Sequence, residues 1–349
     1  MLKSFRYLLF PFSLIYGAII WFRNFLFDNK IFKSAKFNFP LICVGNLAVG
    51  GTGKTPMTEY LIELLQPMYA TATLSRGYKR KTKGFAIANA TTTALEIGDE
   101  PMQFHEKYPG TTVAVGEERF EAIPQILHAR PATKVIILDD AFQHRSVIAG
   151  LNILLTEYKN LYSRDLMMPA GDLRDIRASS KRAQIIIVTK CKSGLTVTDK
   201  ETIEKQLKIL PGQKIFFTEI LYAAPYHLFT KELYNISADT DLLLVTGIAN
   251  PKPMKFFLAE HVHSFDMLYY PDHHIFSSTD LKDIKKHFEK IKATEKIILT
   301  TEKDAVRLKK FEKELINMPI YALPIKHHFL FEEAASFNKI VKEYVEEFD

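Results

Sequence analysis

Residues 40–65 read PLICVGNLAVGGTGKTPMTEYLIELL: an apolar run at 40–44, a glycine-rich turn, and a helix-like run from Met57 to Leu65. Strand, phosphate-type loop and helix in that order are what a Walker A loop requires. Within 48–55 (AVGGTGKT), Gly50, Gly51 and Gly53 let the backbone N–H groups around Thr52 close on phosphate oxygens, and the helix that follows adds its positive amino end. Lys54 has the reach for the β- and γ-phosphates and Thr55 the hydroxyl for Mg²⁺, so ATP and Mg²⁺ are the expected nucleotide and metal. Ala48 stands where the motif has its first glycine, a tolerated departure.

A phosphate loop of this kind needs an acidic strand end beside the metal. VIILDD at 135–140 has that form, four apolar residues and then two carboxylates. Asp139, the first, is the metal candidate with Thr55; Asp140 is placed to orient water or a partner side chain. Further short apolar runs at 70–74, 111–115, 151–155 and 184–189 alternate with polar, helix-like stretches, which implies a parallel sheet covered by helices. A second set at 214–220, 242–246, 265–270 and 296–300, with a helix-like stretch at 280–292, reads as a smaller unit. The expected fold class is α/β: a P-loop NTPase-like parallel sheet core, a second, smaller α/β domain, and an amino-terminal membrane-interface helix. The expected division is 1–27 for that helix, 28–218 for the core, 219–240 for a β linker and 241–349 for the second domain.

With 349 residues, two α/β-sized units are the natural partition, and 47% hydrophobic with 25% charged residues is ordinary for a globular protein. The formal charge of +6 fits an acidic partner, but without an aromatic-basic RNA signature or zinc-finger spacing it does not point to nucleic acid. Cys43 and Cys191 lie inside apolar runs and read as small core residues in a reducing cytoplasm.

No charge occurs over residues 7–22, which Lys3, Arg6 and Arg23 bracket. As a helix those residues reach about 24 Å, short of a bilayer core of about 30 Å, and Pro11 interrupts them early. Aromatics crowd the region (Phe5, Tyr7, Phe10, Phe12, Tyr16, Trp21, Phe22), and Lys30, Lys33 and Lys36 follow. Rings and cations both favour the headgroup layer, so the segment is read as a helix lying in the membrane interface, with a helix buried on the protein core as the alternative.

Several stretches form a set: GNLAVGGTGKTP at 45–56, SRGYKRK at 75–81, GDEP at 98–101, LDDAFQHR at 138–145, PAGDLRD at 169–175 and PDHH at 271–274. Their order over residues 1–308 resembles the tetraacyldisaccharide 4′-kinases, the lipid A kinase family. That resemblance implies two α/β domains, a nucleotide in the cleft between them, and transfer of the γ-phosphate to the 4′-hydroxyl of a disaccharide 1-phosphate glycolipid. It also implies a Gram-negative-type cell and the cytoplasmic face of the inner membrane, and a monomer is the expected assembly.

Arg76, with Lys79, Arg80 and Lys81 close by, can grip anionic oxygens, and Arg174 with Arg177 makes a second cationic group for a phosphate of the nucleotide or the lipid. His144 follows the acidic strand end and is a candidate partner of Asp139 or Asp140. In a strand, His273 and His274 would face opposite sides, which speaks against a joint metal site. The resemblance places His273 in the active site and makes Asp99, in a short acidic turn, the acceptor of the sugar hydroxyl's proton. The two are expected in different domains, meeting only on closure. The rival reading is a membrane-associated P-loop ATPase of the partition type. Val49 stands where its signature lysine would be, and no guanine-reading Asn-Lys-x-Asp motif supports a GTPase.

Overall fold

Runs of apolar residues bounded by charge become strands buried on both faces. In the computed structural model, which describes residues 6–348, Leu41–Asn46, Thr71–Ser75, Val135–Asp139 and Ile185–Thr189 are buried at every position. Lys3 and Phe5 lie outside the described residues. The described chain divides into two compact units, one of residues 6–92, 104–221 and 326–348, the other of Thr93–Gln103 and Tyr222–Ile325.

The first unit holds a nine-stranded sheet in the spatial order Ile325–Phe329, Lys214–Tyr222, Ile185–Thr189, Leu151–Glu157, Leu41–Asn46, Val135–Asp139, Thr71–Ser75, Thr112–Val115, Ala86–Ile87. The seven strands from Lys214–Tyr222 to Thr112–Val115 run parallel, and Ala86–Ile87 closes one edge antiparallel. Leu41–Asn46 lies between Leu151–Glu157 and Val135–Asp139, with Val44 opposite Asp139. Because those strands are parallel, the phosphate loop and the acidic pair emerge at the same, carboxyl-terminal edge, where ligands of open α/β sheets bind. Leu41 and Cys43 join Ile136, Leu138, Leu154, Ile186 and Phe217 in one core.

The second unit carries five strands in the order Tyr226–His227, Ile320–Leu323, Lys296–Thr301, Asp241–Thr246, Ser264–Tyr269. Alternation sorts its side chains to two faces: Leu243, Val245 and Ile298 pack in one cluster, Leu242, Leu244, Ile297 and Leu299 in the other. Residues 219–240 hold no helix, and their only regular structure is the end of Lys214–Tyr222 and the short strand Tyr226–His227.

Two segments fall elsewhere than the expected division. Residues 93–103 go with the second unit, and 326–348 return to the first, where Ile325–Phe329 adds an edge strand and the helix Ala334–Glu346 buries Phe337, Val341 and Val345. The helix Phe10–Asp28 carries Pro11 in its first turn instead of being interrupted by it, since a proline there needs no N–H partner.

Candidate active site

Between the strand Leu41–Asn46 and the helix Lys54–Leu65 the phosphate loop turns on Gly50 (φ 107°) and Gly53 (φ 88°), both in the region that side chains avoid. A Cβ at Gly50 or Gly51 would meet nothing within 4 Å, so the loop surface stands open for a ligand. Thr52 is buried, with its hydroxyl accepting from Asn46 Nδ2 at 2.9 Å. Lys54 and Thr55 open the helix, so both sit at its positive end.

Asp140 has φ 47° and turns its carboxylate onto cations: Lys54 Nζ at 3.7 Å and Arg174, which binds both carboxylate oxygens, one of them at 3.2 Å. Burial opposes the charge of Asp140, but Lys54 and Arg174 outweigh it and hold the carboxyl below the usual carboxylate range. Arg174 also donates to Asn46 Oδ1 at 2.6 Å, which ties this cluster to the strand leading into the loop. Asp139 is buried and accepts from Thr58 Oγ1 at 3.3 Å and Ser75 Oγ at 3.2 Å.

Among the described residues no three His, Cys, Asp or Glu side chains gather into a ready-made metal cluster. Magnesium on a nucleotide does not need one: one or two protein oxygens, with phosphates and water, complete its shell. The Thr55 hydroxyl and the Asp139 carboxylate, on elements meeting at the same sheet edge, are a hard oxygen donor set that fits it.

His144 sits near enough to Asp140 to feel its charge, but burial pushes its pKa down to about 4, with Arg119 and Arg76 adding to the effect and Asp140 opposing it. A cation at this position would face two guanidinium groups, so the imidazole stays neutral. Arg76 is exposed, Arg80 is taken up by Glu117 at 2.6 Å, and Arg177 donates to the Asp165 carbonyl at 2.6 Å. Arg119, which its sequence context did not single out, is fully buried and donates toward the Asp139 carbonyl at 3.5 Å.

The second unit holds the other half of the predicted set. Asp99 opens the helix Asp99–Lys107, and its Oδ2 lies 2.7 Å from His273 Nδ1. The expected meeting of these groups only on domain closure does not hold, because the segment 93–103 belongs to the same unit as His273. Nor is 271–274 a strand: it is a turn after Ser264–Tyr269, with His273 at φ 62° and His274 bound to Asp280 at 3.0 Å.

Arg307, buried, donates to Asp99 Oδ1 at 3.1 Å and to the His274 carbonyl at 2.9 Å. Lys303 pairs with Glu100. Desolvation opposes the Asp99 charge, yet the His273 hydrogen bond and the Arg307 guanidinium outweigh it and keep the carboxyl below its ordinary range. Arg307 and Lys303 lie past the strand Lys296–Thr301 in TEKDAVRL (301–308), where a Thr-x-x-Asp cap followed by charges was the available signal.

The model of the family described as Tetraacyldisaccharide-1-P 4'-kinase matches residues 5–346. A tetraacyldisaccharide 4'-kinase of Phocaeicola vulgatus is 45% identical over 345 residues, covering 97% of this chain and 94% of the relative. One of Flavobacterium johnsoniae is 45% identical over 344 residues, covering 98% of each. A crystal structure of LpxK from Aquifex aeolicus in complex with ATP matches with a TM-score of 0.76 at 30% identity, over 99% of this chain and 100% of that one. A phosphate loop with its acidic strand end, matched along almost the whole sequence by these relatives, identifies the chain as a member of the tetraacyldisaccharide-1-P 4'-kinase family.

Proposed function

We propose that this chain transfers the γ-phosphate of ATP to the 4′-hydroxyl of a tetraacyldisaccharide 1-phosphate, giving the bisphosphorylated glycolipid and ADP, at the cytoplasmic face of the inner membrane. The observation that carries the reading is the phosphate loop: Gly50 and Gly53 in left-handed conformations at a helix amino terminus, with Lys54 and the Asp140–Arg174 pair beside it. The ATP bound by the Aquifex aeolicus relative supports the same nucleotide here.

Backbone N–H groups of 50–55 and the Lys54 ammonium hold the phosphates of ATP. Thr55 and Asp139 would hold Mg²⁺, which would neutralise charge on the phosphate oxygens. Arg174, kept in place by Asp140 and Asn46, supplies a fixed cation for the charge that spreads over the transferring group.

Asp99 accepts the proton of the 4′-hydroxyl while the hydroxyl oxygen bonds to the γ-phosphorus. The bond from that phosphorus to the β,γ-bridging oxygen breaks and ADP leaves. His273, bonded to Asp99, orients the carboxylate and shares the charge change.

The membrane side of the reading rests on the helix Phe10–Asp28. Its buried residues are polar, Ser13 and Asn24, each 3% exposed, while Phe12, Ile15, Ile19, Trp21 and Phe22 are exposed. Ser13 accepts from Ala170 N, Tyr16 donates to the Arg174 carbonyl, Arg23 to the Gln143 carbonyl, and Asn24 to Asp175. By length and composition residues Tyr7–Asp28 suffice to cross a bilayer. A crossing helix would have to leave the protein groups that these polar side chains bind, whereas a helix lying in the interface keeps them and buries its apolar side in lipid.

The test is incubation of purified protein with γ-labelled ATP and a tetraacyldisaccharide 1-phosphate in mixed micelles. Label on the lipid's 4′ position is expected. Label released only as free phosphate, irrespective of lipid, would favour the membrane ATPase reading instead.

A further inference from the structure

Two carbonyl groups of the phosphate loop are fixed from the side away from its open surface. Thr52 O accepts from Thr189 Oγ1 at 2.9 Å, and Gly53 O accepts from His327 Nε2 at 2.9 Å as well as from Met57 N at 3.1 Å. His327 comes from the edge strand Ile325–Phe329, 274 residues further along the chain, and is 6% exposed. A Cβ at Gly53 would stand 3.0 Å from its Nε2, so the ring is packed directly against the loop.

A carbonyl oxygen can only accept, so Nε2 carries the ring proton and Nδ1 accepts from Thr218 Oγ1 at 2.9 Å. The ring is thus held in one tautomer between a strand hydroxyl and the loop. In a planar trans peptide the C=O and the following N–H point in opposite directions. Holding Thr52 O and Gly53 O therefore aims the N–H groups of Gly53 and Lys54 toward the open side of the loop. An arginine or lysine donor here would bury a charge, and a hydroxyl would not span from Thr218 to Gly53; a neutral imidazole does both.

We propose that His327, seated by Thr218, is a positioning residue of the nucleotide site: it holds the Gly53 carbonyl so that the N–H of Lys54 faces a phosphate of ATP. This rests on the reading of 48–55 as the ATP phosphate loop. A preformed array of donors costs no reorganisation when the anion arrives, so the effect belongs to nucleotide binding and not to the lipid acceptor.

The experiment compares full-length wild type with His327→Ala, His327→Gln and Thr218→Val. Affinity for a fluorescent N-methylanthraniloyl-ADP is measured, then KM for ATP and for the lipid, with the melting temperature of each variant alongside. His327→Ala is expected to weaken nucleotide binding about tenfold and to raise KM for ATP by a like factor, with KM for the lipid unmoved.

His327→Gln, whose amide nitrogen can take the place of Nε2, is expected to recover most of the loss. Thr218→Val removes one hydroxyl on the far side of the ring and is expected to show a smaller loss of the same kind; it carries the test should His327→Ala fail to fold. Unchanged nucleotide affinity in His327→Ala or Thr218→Val overturns the inference, as does a loss in folded His327→Gln equal to that of His327→Ala. Failure of wild type to bind nucleotide overturns the reading of the loop itself.

Discussion

Asp99 shows how one carboxylate is held ready as a base. One oxygen accepts from His273 and the other from Arg307, leaving lone pairs on both for a substrate proton. Removal of either member of the dyad should therefore act on the chemical step. Asp99→Asn and His273→Ala are each expected to lower kcat by about 10²- to 10⁴-fold with KM for ATP near wild type, and the double variant to be hardly worse than the poorer single. Steady-state kinetics of the four proteins check this; losses that multiply would mean two independent roles. Arg307 gives a pH test. Its guanidinium helps hold the Asp99 carboxyl below its usual range; His273, Lys303 and Glu100 also lie in the charge network around Asp99, and Asp304 pairs with Arg307 at 3.5 Å. Replacing Arg307 by Gln removes a lowering influence, so the Asp99 pKa must rise. The acid limb of kcat/KM should then move to higher pH, with activity lost earlier as pH falls. A limb that stays in place while kcat drops would assign Arg307 to packing alone.

At the scale of elements, the helix Phe10–Asp28 reverses the usual arrangement: polar side chains face protein and apolar ones face out. Trp21, the chain's only tryptophan and 57% exposed, is a built-in reporter. On addition of anionic vesicles its emission should shift to the blue, and Ile15→Glu with Ile19→Glu should abolish both the shift and vesicle flotation with little change in melting temperature. Retained flotation in that variant would place the membrane contact elsewhere. Composition made this helix legible because aromatics and cations are counted without knowing direction, but its buried side was hidden, since Ser13 and Asn24 become interior only through partners such as Ala170 and Asp175. The parallel strands were legible for a similar reason: runs like VIIL at 135–138 are apolar on both faces and need no partner to be recognised. The edge strand Ile325–Phe329 was not, because IKHHF has no such run, and its two histidines are explained only by Gly53, Thr218 and Glu219. Likewise the 93–103 segment joins the second unit through long-range pairs, Lys303–Glu100 and Arg307–Asp99, that no local period encodes.

Over the whole molecule, the chain passes between two units that each have their own core, so their stabilities need not respond alike to solution conditions. Two buried histidines separate them in mild acid. In the first unit, burial pushes His144 and His327 each down to about 4; Arg119, Arg76, Arg23 and Asp140 face the former, and Lys190 is the charge acting on the latter. An unfolded histidine binds its proton near pH 6.5, so between about pH 6.5 and 4 the unfolded chain takes up protons that the folded unit refuses. The stability tied to each neutral imidazole is complete above about pH 6.5 and is lost as pH falls toward 4, a loss on the order of 3 kcal/mol for His327. In the second unit, buried Asp304 has its carboxyl raised, chiefly by desolvation; that shift favours folding at low pH and fades as pH rises. Calorimetry from pH 7 to 4.5 is therefore expected to show the first unit's transition falling faster than the second's. His327→Gln cannot titrate, so its first transition should fall less steeply over the same range, even though the variant starts from a lower melting temperature at pH 7. Parallel slopes in wild type and His327→Gln would mean that this imidazole accepts its proton without cost, against the penalty expected from its burial between Thr218 and the Gly53 carbonyl.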